Sequence, residues 1–108
     1  MAGHRAPDAP CRDASTGAPT RLFDVFAGPH FTLLGFGPDS ATPLATVAAA
    51  YGDRVRTFRV DDHEGHAGRA YGVEGSGLVL VRPDNHVALG AGAEGGAEVV
   101  DYLKRLGC

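Results

Sequence analysis

At 108 residues the chain is the size of one domain, long enough for a single core and too short for a cofactor-binding domain beside a substrate domain. Its 44% apolar and 21% charged content is that of an ordinary globular protein, and a net charge of -3 gives no basis for expecting nucleic acid or an anionic membrane as partner. No run approaches the roughly 20 apolar residues of a membrane span. His4, Arg5 and Asp8 also interrupt the N-terminus where a signal peptide would be apolar, so a cytoplasmic location is expected.

Residues 1–20 contain Pro7, Pro10 and Pro19, which discourage a long helix, and predict an extended lead-in with turns before a core of residues 21–108, all within one domain spanning 1–108. Leu22, Phe23, Val25 and Phe26 predict one or two turns of helix, ended by Gly28-Pro29. Phe31–Phe36, reading FTLLGF between two prolines, is the best candidate for the first central strand. Gly37-Pro38-Asp39-Ser40 breaks it. Ser40 or Thr42 can cap the next helix, Pro43 suits its first turn, and Leu44, Val47, Ala48 and Tyr51 recur at helical spacing as far as Gly52. Val55–Val60 predicts a second strand, parallel to the first through a right-handed crossover.

Asp61–Gly68 is polar and turn-forming, and a short helix around Arg69-Ala70-Tyr71 should end at Gly72. Leu78–Val81 is continuously apolar, which suits a strand covered on both faces. Arg82-Pro83-Asp84-Asn85 then predicts a tight turn, with Asn85 taking the left-handed conformation, and His86–Leu89 returns as the partner strand. Gly90, Gly92, Gly95 and Gly96 predict a flexible connection. Val99, Val100, Leu103 and Leu106 mark one face of a closing helix, with Lys104 and Arg105 in its last turn. The order is β-α-β, then α, a β-hairpin and α: an α/β fold of thioredoxin-like order, with a central mixed sheet flanked by helices and an extended N-terminal segment.

The stretch LVLVRPDNHVAL, Leu78–Leu89, resembles the LVRPDGxVAWR signature of the thioredoxin-like domain that ends many FAD-dependent aromatic-ring hydroxylases of the phenol hydroxylase and polyketide hydroxylase kind. Gly3-His4-Arg5-Ala6-Pro7-Asp8 resembles their G-x-x-A-P-D opening, and Arg21–Phe26 resembles their RLFDLL element. Three positions depart from the pattern: Asn85 stands for glycine, Leu89 for tryptophan and Gly90 for arginine. The resemblance implies a redox-inactive C-terminal domain of a FAD- and NAD(P)H-dependent monooxygenase, with a structural or oligomerisation role. FAD and NAD(P)H would be held by other domains, and the partner would be the FAD-binding domain or a second copy. No catalytic, cofactor-binding or metal residue is then expected in this chain.

Thiol chemistry in a thioredoxin-like fold sits just after the first central strand, where a helix N-terminus stabilises a thiolate. Gly37–Thr42 occupies that place without a cysteine, and Gly77 stands where a proline usually precedes the third strand. Cys11 and Cys108 lie near opposite ends of the chain with no C-x-x-C. They leave one alternative, a free-standing thioredoxin- or peroxiredoxin-like oxidoreductase using Cys11 or Cys108. Asp61-Asp62-His63-Glu64-Gly65-His66 is the densest set of potential ligands, but His63 and His66 are three apart, and a transition metal needs three or four converging groups. His4, His30 and His86 are scattered. Gly90-x-Gly92-x-x-Gly95 fits G-x-G-x-x-G without the strand-led βαβ unit that gives that pattern meaning, and neither Ser40 nor Ser76 sits in a nucleophile elbow.

Overall fold

The apolar run Phe31–Phe36 forms a strand buried along all but its first residue, and the rest of the molecule is layered on it. The computed structural model describes residues 5–26, 28–61, 65–73, 75–92 and 95–106. In chain order these form β1 (Pro10–Asp13), β2 (Pro19–Arg21), α1 (Leu22–Phe26), β3 (Phe31–Phe36), α2 (Ala41–Tyr51), β4 (Val55–Asp61), α3 (His66–Tyr71), β5 (Gly77–Val81), β6 (Val87–Gly92) and α4 (Gly96–Arg105). The strands make one mixed sheet in the order β2-β1-β4-β3-β5-β6. β3 pairs in parallel with β4, from Phe31 opposite Val55 to Phe36 opposite Val60. On its other side β3 pairs antiparallel with β5, Leu34 opposite Val79. Both neighbours of β3 are therefore strands and both its faces meet helices, which is why its sequence is apolar without alternation.

Successive side chains of a strand point to opposite faces, so β3 feeds two cores. Leu34 and Phe36 join Val60, Val79 and Val87 beneath Leu22 and Phe26 of α1 and Ala67 and Tyr71 of α3. Leu33 joins Val55, Leu78 and Leu80 beneath Leu44, Val47 and Tyr51 of α2 and Val99 and Leu103 of α4. Gly35 lets α2 close on the sheet: a Cβ there would lie 2.6 Å from Leu44 Cδ1 and 2.8 Å from Ser40 Oγ.

The structure departs from the sequence expectations at four places. The N-terminal lead-in holds a hairpin, since β1 pairs antiparallel with β2 and, through Arg12 and Asp13, with Asp61 and Val60 of β4. α2 starts from a 3-10 turn, Pro38–Ser40, and Ser40 does not cap it: its Oγ donates to Gly37 O at 2.7 Å. α3 begins at His66, three residues earlier than its apolar face suggested. β6 runs to Gly92, so Gly90 and Gly92 are strand residues opposite Val79 and Gly77 and not a flexible connection. At the hairpin the expected geometry is present: Asn85 has φ 65°, and its N–H donates to Arg82 O at 2.9 Å.

Candidate functional site

The turn after β3 is where a thioredoxin-like scaffold would carry its thiol, and backbone fills it here. Gly37 has φ 80°, a conformation that L side chains rarely adopt. A Cβ at Gly37 would overlap the Ser76 hydroxyl and lie 2.8 Å from Ser76 Cα and 2.9 Å from Gly75 O. The Gly75-Ser76-Gly77 segment thus closes directly on the turn. Gly77 in turn leaves 3.1 Å between its missing Cβ and Val73 Cγ1. Beside this contact, over the carboxyl ends of β3 and β4, lies an open cleft of about 620 Å³ between Phe36, Gly37, Val60, Gly68, Val73 and Gly75. Among the described residues its ionisable groups are Arg59, Asp61 and Arg69, and none of those residues that line it brings a thiol or an imidazole. That set can bind by charge and apolar contact but offers no nucleophile for disulfide exchange.

Cys11 lies elsewhere, on β1 opposite Thr20, with β4 between its strand and β3. It packs against the α1 and α3 core near Tyr71 and not at the leading turn of α2. Cys108 lies outside the described residues. So do Asp62, His63 and Glu64. His66 opens α3 with Nδ1 3.5 Å from Arg69 Nη2, and the described residues include no group of three or more side chains that could hold a metal. His30 lies with its ring against Gly28, where a Cβ would meet ring atom Cε1 at 2.7 Å. His86 pairs with Arg5 across an antiparallel bridge. Arg82 donates to both Asp84 oxygens, at 3.1 and 2.7 Å, and this pairing holds the Asp84 carboxyl down to about 2.

The segment that resembled G-x-x-A-P-D proves to be a strap with three separate attachments. Ala6 is fully buried in the core shared by α1 and α3. Pro7 O accepts a hydrogen bond from the Tyr71 hydroxyl at 2.6 Å. Asp8 Oδ1 accepts the Phe23 N–H at 3.1 Å, satisfying an open donor in the first turn of α1, while Oδ2 accepts Arg21 Nε at 2.8 Å. Partial burial works to raise the Asp8 pKa, but the Phe23 N–H and the Arg21 guanidinium outweigh it and hold the carboxyl below its usual value. Tyr71 is pushed well above the ordinary tyrosine range, first by burial and then by the neighbouring Asp8 and Cys11. These partners are 15 and 64 residues apart in the chain, so no local pattern could have exposed them.

Residues 1–106 match the family described as aromatic-ring hydroxylase, C-terminal. The chain belongs to that family. It is 39% identical over 105 residues to a flavin-dependent monooxygenase of Mycobacteroides abscessus, covering 97% of this chain and 18% of that protein. It also superposes on aklavinone-11 hydroxylase, solved as a ternary complex with FAD and aklavinone, with a TM-score of 0.72 and 30% identity over 94% of this chain and 20% of that one. The aromatic-ring hydroxylase C-terminal domain therefore spans about a fifth of the length of these relatives. Its fold is thioredoxin-like, as seen against a thioredoxin peroxidase of Plasmodium yoelii, with a TM-score of 0.75 at 15% identity over 98% of this chain and 90% of the other.

Proposed function

We propose that this chain is a redox-inactive domain of a FAD- and NAD(P)H-dependent aromatic-ring monooxygenase, with a structural role against the flavin-binding body and no catalysis of its own. The observation that carries this reading is the turn between β3 and α2: none of Gly37–Thr42 is a cysteine, and at Gly37, which leads the turn, the side-chain space is taken by Gly75 and Ser76. The membership of the chain in a family of C-terminal hydroxylase domains supports the same reading from outside the site. FAD and NAD(P)H would then be held wholly by the remaining polypeptide, where the cofactor supplies the oxygen chemistry.

The test is a replacement. This chain is exchanged for the matching segment of the Mycobacteroides abscessus monooxygenase and compared with that enzyme lacking the segment. The chimera should recover flavin content and NAD(P)H oxidation that the truncated enzyme has lost. The isolated chain should bind no flavin and consume no peroxide. Peroxide consumption or insulin reduction by the isolated chain, abolished by Cys11→Ser or Cys108→Ser, would overturn the proposal in favour of a thiol enzyme.

A further inference from the structure

We draw no further inference here: the strongest candidate, the surface groove of about 340 Å³ between α1 and β4 lined by Asp24, Val25, Arg56 and Phe58, carries nothing, because nothing in the structure shows what covers it and the Arg56 guanidinium already donates to Val25 O at 3.1 Å.

Discussion

Tyr71→Phe isolates the single hydrogen bond that ties the N-terminal strap to the core. The ring is 4% exposed and sits 6.1 Å from the Phe36 ring, and phenylalanine keeps both the burial and that contact. Only the donor to Pro7 O, 2.6 Å away, is lost. A net hydrogen bond contributes about 1 kcal/mol, and leaving its partner unsatisfied in a partly buried place raises the cost toward about 3 kcal/mol. Urea unfolding at pH 7 should therefore show a loss of about 1–3 kcal/mol, each kcal/mol lowering Tm by about 4–8 °C in a domain of this size. The hydroxyl also shapes the alkaline limb. Its folded pKa is raised, so its contribution is complete below the unfolded value of 10.0 and is lost as pH climbs from there toward the folded value. The phenylalanine variant should lose less stability than the parent above pH 10.0. A change within about 0.5 kcal/mol at pH 7, or identical alkaline slopes, would refute the strap argument.

Asp8→Asn should cost about 1 kcal/mol at neutral pH through the weakened α1 cap and the lost Arg21 pairing. Because the folded Asp8 pKa is lowered, its stabilisation is present above the unfolded value of 3.8 and disappears as pH falls through the folded one; the variant should show a shallower acid limb in denaturant titrations. Gly35→Ala forces a methyl group against Leu44 and Ser40 and should destabilise by about 1–3 kcal/mol, measured by thermal unfolding. Asn85→Gly should be neutral or stabilising by up to about 1 kcal/mol, and Asn85→Val destabilising by about 1–2 kcal/mol, because φ is 65° there. Carbon NMR should find the Asp84 carboxyl titrating at about 2, and Arg82→Ala should return it toward 3.8.

What could be read from the sequence was what short-range physics determines. The apolar runs at 31–36 and 78–81 are strands because both their faces are covered, and no other placement of Leu33, Leu34, Leu78 and Leu80 keeps them from water. The helical spacing of Leu44, Val47 and Tyr51 specified α2 in the same way. Elements whose state depends on a distant partner were not legible. β1 and β2 are polar, proline-flanked segments that become strands only because β4 offers Arg12 and Asp13 an edge. Gly90 and Gly92 have no propensity for sheet, and pairing with β5 overrides it. Ser40 has the composition of a helix cap, yet a 3-10 turn ahead of α2 redirects its hydroxyl to Gly37. The A-P-D pattern pointed to the family through resemblance, while its physical meaning needed contacts to Phe23 and Tyr71 that no window of sequence contains.

The closed turn at Gly37 also bears on why a thiol would not be accepted at that position. A reactive thiol needs a side chain, a conformation that tolerates it, and open space in front of the helix. Position 37 fails the first two, because φ is positive and Ser76 and Gly75 fill the Cβ direction, while Ser40 Oγ fixes the turn through the Gly37 carbonyl. In a thiol enzyme that turn must stay accessible to a second protein, and the scaffold gives up packing there. Here the same residues contribute packing, and bare backbone also stands two strands away at the same end of the sheet, where Gly92 of β6 lies opposite Gly77 of β5, itself opposite Phe36 of β3.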